Sequence, residues 1–236
     1  MTLDVLRLEV AQLVFPRGPV PNRFQLLVHV NDVEITSAAN YLGVDPFPLF
    51  HPVNQLAATT APHTASLSLC LGCAISGCCD GKATITRDGD LVHWDWGRRP
   101  LMPRRATFHA SQYDAEVARC ASDHSWENPA DTAGRLVVTL SDRAHLDSYN
   151  LAFDYVDQSV YHGELFHVAL IGDGYQVFLD FPWQGRSPAD LAAEVCAILA
   201  LPPQQWDATW FPNHWELRES GEAPDTAGPG WRRLEN

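Results

Sequence analysis

Hydrophobic and polar residues alternate in the first third of the chain, which predicts half-buried β-strands. In the segment LDVLRLEVAQLVF, Leu6, Leu8 and Val10 fall on one face, whereas Arg7 and Glu9 fall on the other. Successive side chains of a strand point to opposite faces of the sheet, so this alternation indicates one buried face and one exposed face.

Three dipeptides divide the alternating segments into predicted hairpins. Asn31-Asp32 lies between RFQLLVHV and VEIT, Asp88-Gly89 lies within KATITRDGDLVHWDW, and Asp173-Gly174 lies between GELFHVALIG and YQVFLDFPW. These residue types tolerate the positive φ angles that tight hairpin turns require. The segment DPFPLFHP (residues 45–52) contains three prolines, which fix φ and remove backbone donors, and it is therefore predicted to be an ordered loop.

Apolar residues at helical spacing follow in the middle of the chain. In SQYDAEVARCASDHSW, Ser111 is the predicted N-cap, and Val117, Cys120, Ala121 and His124 form the face that is expected to contact the core.

Two further helices carry a capping residue followed by proline at the first helical position. Asn128 precedes Pro129 in the second predicted helix, and Ser187 precedes Pro188 in the third. The pattern as a whole predicts an α+β fold: one domain over residues 1–215, with an antiparallel sheet built from hairpins and a few packed helices. Residues 216–236 are polar and rich in Gly and Pro, and they are expected to form a disordered or partner-bound tail.

The chain of 236 residues has 29 acidic and 16 basic side chains, and its net charge is −13. This charge opposes binding to nucleic acid or to anionic membranes and favours a basic protein partner. Asp4 and Glu9 interrupt the N-terminal segment, where a signal peptide needs an apolar run, so a cytoplasmic, bacterial-type protein is expected.

Four of the six cysteines lie in the segment SLSLCLGCAISGCCDGK (residues 66–82), namely Cys70, Cys73, Cys78 and Cys79. The C-x2-C spacing of the first pair suits two zinc ligands, and Cys78 or Cys79 could supply a third. A second ligand pair is missing from the segment, so a buried-thiol interpretation is favoured over the zinc site, and a disulfide is the third alternative. The nearest candidates for a fourth ligand are His51, His63 and His93.

The remaining cysteines, Cys120 and Cys196, fall on apolar helix faces and are expected in the core. No familiar catalytic motif occurs in the sequence. The nearest candidate is an acidic helix in which Glu116, Asp123 and His124 could form a general-base or metal site of a hydrolase. A solvated helix face explains the same residues, and no role is assigned to His162 or His167.

Tryptophan is abundant, and four indoles are candidates for an interaction surface. They are Trp94 and Trp96 on a predicted strand, and Trp206 and Trp210 near the C-terminus. Trp is enriched at protein interfaces, but it also fills cores, so an interaction surface and a core position both remain open for these residues.

The segment from about Tyr41 to Leu146 resembles a family of uncharacterised bacterial proteins. In that family a C-x-C-G-x-x-G-C-type segment precedes a strand ending in V-x-W and a Q-Y-x-x-E-V helix ending in a W-E pair. The chain departs from this pattern at Ala74 and in the position of Cys70. The matching residues are Cys73, Gly77, Cys78, Phe108, Gln112, Tyr113, Glu116, Val117, Trp126 and Glu127. The resemblance implies that the segment is a genuine module, and it implies no particular activity.

Three functions are therefore weighed. The favoured hypothesis is a non-enzymatic cytoplasmic interaction module, for example an immunity-type protein that binds a basic partner. The alternatives are a zinc-stabilised module built on Cys70, Cys73 and Cys78, and a hydrolase using the helix around His124.

The buried-thiol interpretation predicts a low metal content. We expect elemental analysis of protein purified without chelator to find less than about a tenth of an equivalent of zinc, because a structural zinc site binds tightly enough to survive purification. A near-stoichiometric zinc content would contradict this interpretation.

Overall fold

A computed structural model describes residues 2–15, 18–37, 41–70, 81–96, 105–158 and 164–234. The α+β class with antiparallel-dominated sheets is confirmed. The contacts between residues divide the chain into two compact units, Met1–Trp126 and Glu127–Asn236. No shift in amino-acid composition marks this division in the sequence.

The first unit contains several short sheets. Its strands are β1 (Leu6–Phe15), β2 (Gly18–Val30), β3 (Val33–Glu34), β4 (Tyr41–Gly43), β5 (His63–Ser66), β6 (Ser68–Cys70), β7 (Lys82–Asp88), β8 (Leu91–Trp96) and β9 (Arg105–His109). Its helices are α1 (Pro46–Phe50) and α2 (Ala110–Ala121). The sheet orders are β1-β2-β3, β4-β6 and β5-β7-β8-β9, and all of these neighbours are antiparallel.

The three predicted hairpins are confirmed. Asn31 and Asp32, with φ of 51° and 63°, connect β2 to β3. Gly89, with φ of 54°, lies in the turn between β7 and β8. The third hairpin turns at Asp173-Gly174 in the second unit. Each turn uses the positive φ that its residue types tolerate, so local sequence determines these connections.

Two local predictions for the first unit were wrong. Residues 46–50 form helix α1 rather than a loop, because the Asp45 side chain accepts from Phe47 N and Pro46 lies at the first helical position, where no N–H is needed. Helix α2 starts one residue before Ser111, and its N-cap is His109, whose imidazole accepts from Ser111 N. The strand β9 runs directly into this helix, so a histidine of the strand supplies the cap.

Helix α2 closes the free edge of β1 with its own side chains. Gln112 Oε1 accepts from Leu6 N at 3.2 Å, and Gln112 Nε2 donates to Leu6 O at 2.7 Å. Glu116 Oε1 accepts from Leu8 N, and Arg119 Nη2 donates to Leu8 O, both at 2.6 Å. Four residues of a helix rise about 6 Å and two residues of a strand about 6.7 Å, so the spacing of Gln112 and Glu116 matches that of Leu6 and Leu8. An edge strand that would otherwise present open donors and acceptors is thereby paired.

An aromatic cluster fills the core of the first unit. Trp94, Phe108 and Tyr113 are fully buried, with ring centroids 5.5–5.9 Å apart. Trp94 Nε1 donates to Tyr113 Oη at 3.1 Å, and Tyr113 Oη donates to Leu56 O at 2.7 Å. The phenol therefore satisfies a buried indole donor and a backbone carbonyl at once.

The second unit is one mixed sheet with helices. Its strands are β10 (Ala152–Gln158), β11 (Leu165–Ile171), β12 (Tyr175–Pro182), β13 (Ala208–Pro212) and β14 (Trp231–Arg233). Its helices are α3 (Pro129–Leu140), α4 (Arg143–Asp147), α5 (Pro188–Leu199) and α6 (Trp215–Ser220), with a short 3-10 helix at Pro203–Gln205. The strands lie in sequence order, antiparallel except for the parallel pair β13-β14.

The predicted caps of α3 and α5 are confirmed. Asn128 accepts from the first turn of α3 and Asp131 completes a capping box, while Ser187 caps α5. Both helices contribute buried side chains, among them Val137 and Val195, to one core with the inward residues of the sheet. One face of the sheet is thereby covered.

The segment that was predicted to be a polar tail contributes to this core. Trp231 is buried, its ring is stacked 6.3 Å from that of Trp206, and its Nε1 donates to Pro203 O at 2.9 Å. Gly228 passes so close to Gln204 that an added Cβ would lie 1.9 Å from its carbonyl oxygen. A strand containing Trp231 therefore extends the sheet where the composition favoured disorder.

The bridge through the Tyr113 hydroxyl predicts a measurable stability effect. Tyr113→Phe leaves Trp94 Nε1 and Leu56 O buried without this partner, and we expect the free energy of unfolding to fall by about 1–3 kcal/mol. Urea denaturation measures the change, and the matched control Tyr155→Phe, at a half-exposed site, should stay within about 0.5 kcal/mol of wild type. Equal effects of the two variants would contradict the structural role of this hydroxyl.

Candidate functional site

The strands β10, β11 and β12 present a second face, opposite the one that packs on α3 and α5. Val156, Val168 and Leu179 point into the core, so the residues between them point outward. On this outward face Tyr155 remains 46% exposed and Ile171 43% exposed. The strand alternation that builds the core therefore also builds an open surface.

An aromatic row crosses the middle of this surface. Tyr155 on β10, Ala169 on β11 and Phe178 on β12 are in register. Ala169 is fully buried although it lies on the outward face, since larger side chains flank it on both neighbouring strands. Tyr155 and Phe178 thus form a continuous apolar strip.

An acidic row lies next to the aromatic row, two residues along each strand. Asp157, His167 and Asp180 are in register, and His167 Nδ1 contacts Asp180 Oδ1. The Asp180 side chain stays 42% exposed. We refer to Tyr155, Phe178, Asp157, His167 and Asp180 together as the acidic-aromatic face.

The carboxylates influence the electrostatics of this surface. Burial, together with the charges of Asp154, Asp180 and Asp157, raises the pKa of the Tyr155 phenol. Asp154 also accepts a hydrogen bond from Gln176 Nε2 on the same side of the sheet. The acidic-aromatic face therefore carries a negative potential beside exposed aromatic carbon, a combination suited to cationic side chains.

A signal for this surface exists in the sequence, but it is a distribution of charge rather than a motif. Residues 144–185 contain six carboxylates and neither Lys nor Arg. These residues include β10, β11 and β12 entirely. Such segregation of charge differs from the mixed signs of an ordinary solvated surface. His167, to which no role was assigned, belongs to the acidic row.

Glu116 of the predicted acidic helix has a structural role at the edge of β1. Glu116 and Asp123 line a shallow depression of about 400 Å³ in the first unit, where Arg119 and Arg7 also lie. Glu116 Oε1 lies 2.8 Å from Arg119 Nη2, so its carboxylate is bound to a guanidinium as well as to β1. His124 is not among the lining residues.

The ionisation of Glu116 fits this structural role. Burial alone would raise its pKa, but hydrogen bonds from Arg119 and Leu8 N, with the charges of Arg119 and Arg7, lower it below 4.5. A general base works best with a pKa near the operating pH. His124 lies beyond the end of α2 and is exposed, with its ring 6.5 Å from that of His51, so its predicted place on a core-facing stripe was wrong.

The cysteine segment is only partly within the described residues. Cys70 is half-buried in β6, whereas Cys73, Cys78 and Cys79 lie outside the described residues. Across the described ranges, no cluster of three or more His, Cys, Asp or Glu side chains could hold a metal. The zinc site thus stays a prediction.

The histidines proposed as a fourth ligand have partners within the first unit. His63 Nε2 lies 2.9 Å from Gln55 O, and His93 Nδ1 lies 3.1 Å from Thr107 Oγ1. His51 packs on Phe47.

The two helical cysteines differ in burial. Cys120 is buried as predicted, and burial raises the pKa of its thiol to about 11. Cys196 is half-buried rather than in the core, and its Sγ lies 3.5 Å from Ser141 Oγ.

The four tryptophans proposed as interaction residues are core residues, which corrects that interpretation. Trp94 and Trp96 have 0% and 4% exposure, and Trp206 and Trp210 have 1% and 3%. Their large apolar surfaces stabilise the two cores, so they present no contact area to a partner. Trp215 is instead the exposed indole, at 61%.

A second acidic feature of the second unit is a pocket of about 310 Å³. Tyr149 and Tyr175 line it together with Asp173, Glu222 and Asp225. Tyr175 Oη lies 2.6 Å from Thr226 Oγ1, which ties the C-terminal segment to β12. The three carboxylates that line this pocket contribute to the negative charge of the second unit.

Compared with known proteins, the chain matches no family model, no curated protein and no solved structure at a significant level. The family resemblance of residues 41–146 therefore stays a prediction. Among the residues that the structure describes, no helix is both long and apolar enough to cross a membrane.

The lowered pKa of Glu116 predicts acid sensitivity of the first unit. Because this pKa is lower in the folded protein than the unfolded value of 4.5, the carboxylate stabilises the fold above the unfolded pKa, and the stabilisation is lost as pH falls through the folded pKa. We expect Glu116→Gln to lower the free energy of unfolding by about 1–2 kcal/mol at neutral pH, and by much less once the pH has fallen below the folded-state pKa of Glu116.

Urea unfolding at a series of pH values measures this dependence. The control Glu219→Gln, at an exposed position of α6, should follow the wild-type curve. A constant difference between Glu116→Gln and wild type at every pH would contradict the proposed charge interaction.

Proposed function

We propose that this chain is a cytoplasmic, non-enzymatic interaction module that binds a basic protein, as an immunity-type protein does. The acidic-aromatic face is the observation that carries the proposal. It combines exposed aromatic carbon with carboxylates on a rigid sheet, and rigid aromatic anchors surrounded by charge are characteristic of protein interfaces.

The distribution of charge supports a basic partner. The whole chain has a net charge of −13, and residues 144–185 contain neither Lys nor Arg. A surface of one sign steers an oppositely charged partner toward it and repels polyanions. Nucleic acid and anionic lipid are therefore poor ligands, whereas a protein rich in Lys and Arg fits.

The thiols support a reducing compartment. Cys120 and Cys196 are free, and they lie in or beside the cores of their units. Proteins of oxidising compartments commonly use cysteine in disulfides, whereas cytoplasmic proteins keep thiols reduced. This observation is consistent with the cytoplasmic assignment that the proposal includes.

The proposal predicts a complex that weakens with salt. Affinity capture from cells that naturally produce the protein should yield a basic partner, identifiable by mass spectrometry and able to form the complex again from two purified proteins. We expect the Kd to rise about tenfold or more from low to high ionic strength, because exposed charge pairs are screened.

Two outcomes would refute the proposal. One is that the protein stays monomeric in such captures, with no basic protein that rebinds after purification. The other is that the reconstituted complex has a Kd that does not change with salt.

A further inference from the structure

We infer that the partner inserts an apolar side chain between Tyr155 and Phe178 while a neighbouring Lys or Arg of the same segment pairs with Asp157 and Asp180. This inference rests on the proposed function and specifies its surface and the chemistry of the bound segment. This face therefore recognises a Lys or Arg together with an apolar residue, rather than basic charge alone.

The spacing of the two rows determines what fits. The acidic row and the aromatic row are two residues apart on each strand, which is about 7 Å. Residues one turn apart on a helix have Cβ atoms about 5–6 Å apart, and alternate residues of a strand are again about 7 Å apart. One short partner segment can therefore contact both rows simultaneously.

The aromatic row and the acidic row contribute differently to the free energy of partner binding. Tyr155 is 46% exposed, so covering its ring buries apolar area that supplies affinity. Asp180 is exposed and already contacts His167, so its carboxylate is held in place where an incoming cation would meet it. The charge pairs add orientation and association rate more than affinity.

The two ends of the acidic-aromatic face differ in charge, and this difference determines the direction in which a partner segment binds. On the other side of the aromatic row lie Ile171, Gln176 and Phe211, which are in register and uncharged. The Asp154 carboxylate at this end already accepts a hydrogen bond from Gln176 Nε2. The Arg218 guanidinium lies 5.0 Å from the centre of the Phe211 ring, so a cation bound at this end would meet a positive charge. The basic residue of the partner must therefore lie toward the end of the sheet where Asp157 and Asp180 are found.

Synthetic helical peptides test this inference directly. One peptide presents Leu and Arg one turn apart on the same face, a second has Ser in place of each Leu, and a third has Glu in place of each Arg. We expect isothermal titration to show binding of the Leu/Arg peptide, about tenfold weaker binding of the Ser peptide, and no measurable binding of the Glu peptide.

Protein variants locate the contact. Asp157→Asn/Asp180→Asn keeps side-chain shape and should weaken binding of the Leu/Arg peptide about tenfold, since each exposed charge pair contributes up to about fivefold. Tyr155→Thr should weaken it similarly. The control Asp88→Asn/Asp90→Asn makes the same change in net charge at an exposed hairpin of the first unit and should stay within about twofold of wild type.

The outcomes separate this inference from the proposed function. If the captured native partner binds tightly but Asp157→Asn/Asp180→Asn behaves like the control, the inference is overturned and the proposed function stands. If the wild-type protein does not bind the Leu/Arg peptide, or binds the Ser peptide equally well, the inference is also overturned. If affinity capture yields no basic partner at all, the proposed function itself is refuted.

A measurement on the wild-type complex needs no variant. Hydrogen exchange with and without the Leu/Arg peptide should show slower exchange in β11 and β12, around His167 and Phe178. Slower exchange confined to the first unit would overturn the inference.

Discussion

The pairing of α2 with the edge of β1 organises the first unit. A sheet edge has backbone donors and acceptors that must be satisfied, and here Gln112, Glu116 and Arg119 satisfy them from a helix rather than from another strand. The same helix buries Tyr113 and Val117 in the aromatic core. Because one face of α2 holds the strand edge and the neighbouring face fills the core, helix and sheets are held in a single arrangement.

This arrangement gives a structural role to the residues of α2 on which the predicted family resemblance rests. Gln112 and Glu116 hold the edge of β1, and Tyr113 and Val117 contribute to the core. Edge pairing and core packing therefore both use residues of this helix. Of the three residues that the sequence suggested as a general-base site, only Glu116 belongs to the polar contacts between helix and strand, together with Gln112 and Arg119.

Sequence pattern predicted what depends on neighbouring residues. The turns at Asn31-Asp32, Asp88-Gly89 and Asp173-Gly174 were found because they need particular φ angles, and the caps Asn128 and Ser187 were found because each needs a side-chain acceptor. Helix α1 was missed because proline is excluded from helix interiors but allowed in the first turn, and composition does not distinguish these cases.

The four buried tryptophans and the strand at Trp231 show the limit of such patterns. An indole suits a core and an interface equally well, and only the position of its neighbours decides between them. Trp231 lies in a polar segment, yet it stacks on Trp206 from a distant part of the chain. Its burial depends on a long-range contact that leaves no local signal.

The sequence by itself determined the alternation of β11 and β12, the turn between them, and the absence of Lys and Arg from residues 144–185. Only the tertiary structure decided that α3 and α5 cover one face of these strands, and that Tyr155, Phe178, Asp157 and Asp180 meet on the other. Alternation states that a strand has two faces, but strand register and helix packing decide which residues become neighbours and which face stays open.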